Sequence, residues 1–126
     1  MGDPLGIGPE VVVKALADPA IRRMANFVIY GRNETLLAAA DRARVGLDWF
    51  RVDAASERAQ DGSVLQPLVL DYTSEGLLDA SRPGPTRFGG LLSKAFVEDA
   101  ITDAMRAPND PRRLDAVVTG PISKES

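Results

Sequence analysis

The stretch NFVIYGRNETLLAAADRARVG, residues 26–46, decides the fold. Asn26-Phe27-Val28-Ile29-Tyr30 carries no charge, and Gly31 closes the run. An unbroken apolar run of this length suits a strand covered on both faces, as in a parallel sheet. Asn33 stands where a helix cap belongs, and Leu36, Leu37, Ala40 and Ala43 predict the helix's inner side. Gly46 predicts its C-terminal stop. Strand, turn and helix in immediate succession form the repeating unit of an α/β protein.

The same alternation extends both ways. Upstream, Pro9 suits a first helical turn and Glu10 favours the positive helix end. Val11, Val12, Ala15 and Leu16 supply an apolar face, and Asp18-Pro19 breaks the run to start a second short helix through Met24. Downstream, Trp49, Phe50 and Val52 suggest a strand, and 53–63 an exposed connection. Val64 to Tyr72 holds strand pieces broken at Pro67, followed by a loop over 73–87. A helix from about Phe88 to Met105 buries Leu92, Phe96, Val97, Ala100, Ile101 and Ala104, with Lys94 and Glu98 paired outside. After a loop over 107–113, Ala116-Val117-Val118-Thr119 reads as a last buried strand, and Ile122 to Ser126 as the entry to another helix. The expectation is α/β, a largely parallel sheet with flanking helices, in a single domain over 1–126.

Composition narrows the function. With 126 residues and 44% hydrophobic content, the chain is long enough to bury a core. A formal charge of −3 argues against a nucleic-acid partner, which would favour a basic face. No apolar run reaches membrane-spanning length, and no basic-then-apolar secretory signal is visible. Arg22-Arg23 and Arg112-Arg113 read as solvated surface pairs. Cysteine is absent, which fits a reducing cytoplasm. Histidine is absent too, so the usual transition-metal ligand sets and His- or Cys-based catalytic triads cannot be built from this chain.

Three stretches invite a ligand. MGDPLGIGPE (1–10) packs glycines ahead of a helix but fits neither standard phosphate loop by count. Position 11 is valine where the dinucleotide fingerprint needs glycine, and no Lys-Ser/Thr follows Gly8. Gly6 and Gly8 permit close backbone approach, helix N–H groups face an anion, and Asp3 suits a hydroxyl. The alternative is a tight turn whose glycines satisfy only backbone geometry. In the second stretch, LDAVVTGPISKES (114–126), Thr119, Gly120 and Lys124 follow a predicted strand, where open parallel sheets bind ligands. Lys124 is the candidate anion holder and candidate catalytic residue, or simply an exposed lysine in a helix's first turn. In the third, TRFGGLLSKAF (86–96), Gly89-Gly90 and Ser93 open a helix, for packing or for a ligand.

The first and second stretches, in this order, resemble the 4-hydroxythreonine-4-phosphate dehydrogenase family. Gly2, Asp3, Pro4, Gly6, Ile7, Gly8, Pro9 and Glu10 match its opening signature, with Leu5 in place of a smaller residue. Thr119, Gly120, Pro121, Ile122, Ser123, Lys124 and Glu125 match its later strand-end segment, and GGLLSKAFVEDAI is similar to its Gly-x-x-Ser helix. The resemblance implies a fold like isocitrate and isopropylmalate dehydrogenases, of which 1–126 would be an incomplete N-terminal portion. It implies NAD-dependent oxidation of 4-phosphooxy-threonine in vitamin B6 biosynthesis. It further implies a phosphorylated small-molecule substrate, a divalent metal held by histidines, a homodimer and a cytoplasmic location. Gly2, Asp3, Gly6, Gly8, Thr119, Gly120 and Lys124 are then substrate- or cofactor-loop candidates. The chain has no metal ligands of its own and would begin just after the family's first strand and stop before its His-Thr segment. It is therefore expected to be inactive alone. Related dehydrogenases of 4-phospho-threonate, 4-phospho-erythronate or aromatic dihydrodiols share these motifs. A non-catalytic phosphometabolite-binding domain and a gene remnant are the competing readings.

Overall fold

A computed structural model describes residues 1–61, 66–76 and 84–122. Among the described residues there are four helices, α1 (Gly8–Ala17), α2 (Pro19–Arg22), α3 (Asn33–Ala43) and α4 (Arg87–Ala104), and three strands, β1 (Val28–Gly31), β2 (Phe50–Asp53) and β3 (Leu68–Asp71). Short 3-10 turns follow β2 and β3, at Glu57–Gln60 and Thr73–Glu75. The strands form one parallel sheet in the order β1-β3-β2. The α/β architecture with a parallel sheet and flanking helices is therefore as expected.

The register places Val28 and Phe50 on either side of Leu68, and Gly31 and Asp53 on either side of Asp71. All four residues of β3 are buried, as a central strand requires. The helices α1 and α3 pack on each other, and α4 packs on β1. Val13, Ile29, Leu36, Val69, Leu92 and Phe96 anchor the core. Fully burying one such side chain contributes roughly 1.5–3 kcal/mol. Tyr72 meets Phe96 edge to face, with ring centroids 4.9 Å apart.

Several expectations shift by a residue or a role. In α1 the inward residues are Pro9, Val13 and Leu16, while Val11 is exposed. The spacing of four and three keeps those side chains on one stripe. In α3, Leu36, Ala39 and Ala40 are buried, and Leu37 is exposed. Asn33 does not cap that helix. Its side chain accepts from Trp49 Nε1 at 2.7 Å, and its backbone N–H donates to the Asp71 carboxylate at 3.0 Å. A carboxylate from another strand thus takes the capping role, helped by the positive helix end. Nor does Gly46 end the helix. Arg44 does so in a left-handed conformation (φ 55°), its N–H donating to Ala40 and Asp41 carbonyls. Along α4, Ile101 points outward and Asp103 points inward. The Lys94–Glu98 pair forms at 3.6 Å on the exposed side, as expected.

The largest difference concerns residues 116–119. They form no strand, and Val118 is 91% exposed. Main-chain groups make a strand only when a neighbour pairs them. Here the outer edge of β1 is met instead by Met1, whose ammonium donates to the Tyr30 carbonyl at 3.0 Å. The expected strand piece at 64–65 and the helix entry at 123–126 lie outside the described residues.

Candidate functional site

The three stretches singled out in the sequence converge. Asp3 N–H donates to the Pro121 carbonyl at 3.0 Å, tying the first stretch to the second across almost the whole chain. Gly2, at φ 78°, lies so close to residues 120–121 that a Cβ there would come within 2.3 Å of the Pro121 oxygen. A Cβ on Gly120 would lie 2.5 Å from the Met1 oxygen. Only glycines let two backbones approach this closely. The third stretch closes from the side. A Cβ on Gly89 would come within 3.1 Å of the Asp3 carboxylate and 2.9 Å of Thr86 Oγ1.

Local sequence explains each approach. Thr86 caps α4, its hydroxyl accepting from Gly89 N–H, and Ser93 returns its own hydroxyl to the Gly89 carbonyl at 2.9 Å. That leaves Gly89 smooth on the side that meets Asp3. The Asp3 carboxylate is buried, accepts from Leu5 N–H at 3.0 Å and lies beside the first turn of α4. Helix α1 begins just beyond, with Pro9 in its first turn. The junction sits where β1 ends, since the Met1 side chain packs on Gly31. Carboxyl ends of parallel strands are where such sheets bind ligands.

The candidates are not equivalent within this arrangement. Gly2, Asp3 and Gly8 are buried, and Gly8 presses on the Met1 carbonyl. Gly6 and Thr119 are exposed, and Gly120 is half-buried. Backbone packing accounts for Gly2, Gly8 and Gly120, which leaves Gly6 and Thr119 as the accessible members. Lys124 lies outside the described residues.

Two polar networks escaped the sequence reading. At the end of β3, the buried Asp71 carboxylate accepts from Asn33 N–H (3.0 Å), Thr73 N–H (3.1 Å), Thr73 Oγ1 (2.6 Å) and Arg51 Nε (2.5 Å). Burial alone would raise its pKa, but these donors together hold it below the usual carboxylate range. The second network surrounds a cavity of about 180 Å³. Tyr30 OH donates to Asp103 at 2.5 Å, Arg112 Nη2 to the same carboxylate at 3.0 Å and Arg106 Nε at 2.8 Å. Arg112 also donates to the Ala59 carbonyl at 3.0 Å. Arg112 is therefore not a solvated surface arginine: it is 3% exposed and charge-paired. Burial, followed by the Asp103 hydrogen bond, pushes the Tyr30 hydroxyl well above its ordinary value. The visible signal was Asp103 falling on the Leu92, Phe96, Ala100 stripe.

Comparison with known proteins finds similarity to proteins named as dehydrogenases. A 4-hydroxythreonine-4-phosphate dehydrogenase from Synechococcus sp. (strain JA-3-3Ab) is 33% identical over 125 residues, covering 98% of this chain and 32% of the relative. Same-named proteins of Trichlorobacter lovleyi and Aquifex aeolicus are 29% and 27% identical, covering 100% and 98% of this chain and 36% and 34% of theirs. The chain is thus similar along its own full length to proteins named 4-hydroxythreonine-4-phosphate dehydrogenase. It spans about a third of the length of the curated relatives it matches. No family model and no solved structure matches it.

Proposed function

We propose that these residues form the substrate- or cofactor-facing loops of an NAD-dependent dehydrogenase that oxidises 4-phosphooxy-threonine in vitamin B6 biosynthesis. The observation that carries the reading is the Asp3–Pro121 hydrogen bond, which seats two family-like motifs against each other at a strand end. On this reading 1–126 is part of an isocitrate/isopropylmalate dehydrogenase-like domain in a cytoplasmic homodimer. Among the described residues, no helix is long and apolar enough to cross a membrane.

The roles follow from placement. Gly2, Gly8 and Gly120 shape the floor by letting the loops touch. Exposed Gly6 and Thr119 offer backbone and hydroxyl to a phosphorylated substrate or to the nucleotide. Asp3 orients the Gly-rich turn through Leu5 N–H beside the start of α4. By the sequence resemblance alone, Lys124 would hold the phosphate as a point charge.

The divalent metal implied by the family does not fit this chain. The sequence has no histidine or cysteine, and among the described residues no three acidic groups gather. No step is assigned to a metal on these residues. The chain alone should therefore give no NADH when supplied with NAD, the phosphothreonine substrate and zinc. NADH absorbance above background would overturn the inactivity of the chain alone.

A related substrate is the second reading. Relatives from Fusobacterium nucleatum and Symbiobacterium thermophilum are provisionally named D-threonate 4-phosphate dehydrogenases and match at 27% and 29% identity. Calorimetric titration of this chain with phosphothreonine and with phosphothreonate ranks the two.

A further inference from the structure

The cavity of about 180 Å³ lies between the sheet and α4, and no residue of the junction between 1–8 and 119–121 lines it. Among the described residues, its charged lining is Asp99 and Asp103 against Arg106 and Arg112, so the wall carries no net charge. The partners of these groups are unevenly shared. Asp103 is buried and saturated, accepting from Tyr30 OH, Arg106 Nε and Arg112 Nη2. Arg112, buried beside it, gives Nε to the Ala59 carbonyl and Nη2 to Asp103. Among the described residues its Nη1 has no hydrogen bond. Asp99 stands at the exposed rim. Its carboxylate accepts from Tyr72 OH at 2.5 Å, and among the described residues no cation pairs with it. Burial, followed by the Asp99 hydrogen bond, holds the Tyr72 hydroxyl well above its ordinary value, so it stays a donor. The cavity therefore has spare donors inside and a spare negative charge at its rim, with Leu70, Ala54 and Ala59 as apolar wall.

We infer that this cavity binds a small aliphatic α-amino acid as its zwitterion, with the carboxylate toward Arg112 Nη1 and the ammonium toward Asp99. A ligand without net charge suits a wall without net charge, and its two ends match the uneven sharing inside it. A phosphate ester does not suit the wall, because it would bring unbalanced negative charge beside Asp99 and Asp103. Size sets the next limit. Liquid water takes about 30 Å³ per molecule, so the space equals roughly six waters, room for about six non-hydrogen atoms with some solvent. Alanine is of that size, and its methyl group suits the apolar wall. Asp99 and Asp103 are one turn apart on α4, ~6 Å along its axis, so the two ends of the ligand engage separate groups. The site stands apart from the strand-end loops, and its occupancy does not depend on theirs.

The test is an NMR titration of the intact chain with L-alanine to about 20 mM, a range that captures the millimolar affinity of so small a ligand. The expected result is saturable amide shifts at Ala59, Tyr72, Thr102 and Asp103, with Asp3, Gly6 and Thr119 unmoved. Propionate lacks the ammonium and ethylamine lacks the carboxylate, so each should bind about tenfold more weakly or worse. O-phosphoserine should leave the cavity amides unmoved. Asp99→Asn keeps an acceptor for Tyr72 and removes the charge at an exposed position, and should weaken alanine about tenfold. No saturable shift with alanine, or shifts centred on 1–8 and 119–121 instead, overturns the site. Propionate or ethylamine binding as tightly as alanine overturns the zwitterion. O-phosphoserine binding at the cavity overturns the phosphate-free ligand class. Unchanged alanine affinity in Asp99→Asn overturns the ammonium contact.

Discussion

Two regions of this molecule are built in opposite ways. The junction of residues 1–8 with 119–121 is held by backbone: one Asp3–Pro121 hydrogen bond and glycines where chains touch. The cluster at Tyr30, Asp103 and Arg112 is held by side chains, with a buried ion pair at its centre. Tyr30 belongs to both, offering its carbonyl to Met1 and its hydroxyl to Asp103. A backbone junction tolerates no added atom, whereas a side-chain cluster tolerates no missing partner. Substitutions separate the two.

The largest effect is expected at the cluster. Asp103→Ala leaves the Arg112 guanidinium buried without its carboxylate and should cost about 3–5 kcal/mol in denaturant unfolding. Adding Arg112→Met should recover most of that loss. A double variant no more stable than the single would show that the pair is not the source. At the junction, Gly2→Ala meets both a positive φ and the Pro121 oxygen, and should cost about 2–3 kcal/mol. Exchange of the Asp3 amide should accelerate with it; unchanged exchange would break the backbone account.

A pH profile reads the point shared by both regions. The Met1 amine has its pKa lowered by burial to about 6 from 8.0, so between these values the unfolded chain binds more protons. Stability should rise by about 2 kcal/mol as pH increases from 6 to 8 and then level off. N-terminal acetylation should flatten that slope. The smallest effect is on the surface. Lys94→Ala removes an exposed pair and should change stability by less than about 0.5 kcal/mol, within the scatter of a thermal melt.

These contrasts also explain what the sequence revealed. The helices and three strands were legible because apolar period and Gly/Pro punctuation are local signals, as in 26–31 and 87–104. The strand expected at 116–119 was not realised, because strand formation depends on a neighbour that no local pattern reports. Arg112 was misread for the same reason. Its partners, Asp103 and the Ala59 carbonyl, arrive from elsewhere in the chain. The glycine positions of the candidate site were visible at once, yet their division into packing (Gly2, Gly8, Gly120) and accessible (Gly6) members required the contact geometry. Asp71 shows the reverse error: Asn33 carried the capping signature, but a carboxylate from β3 does the work.

The strand order carries a last consequence, for how the chain is made. The central strand is the last of the three in sequence: Val28 and Phe50 both pair with Leu68. Among the described strands, β1 and β2 therefore have no ladder to join until residues 68–71 emerge from the ribosome. At roughly 5–20 residues per second, the first strand waits on the order of seconds with its apolar faces uncovered. Translation speed and chaperone access during that interval should then govern yield more than the final stability does.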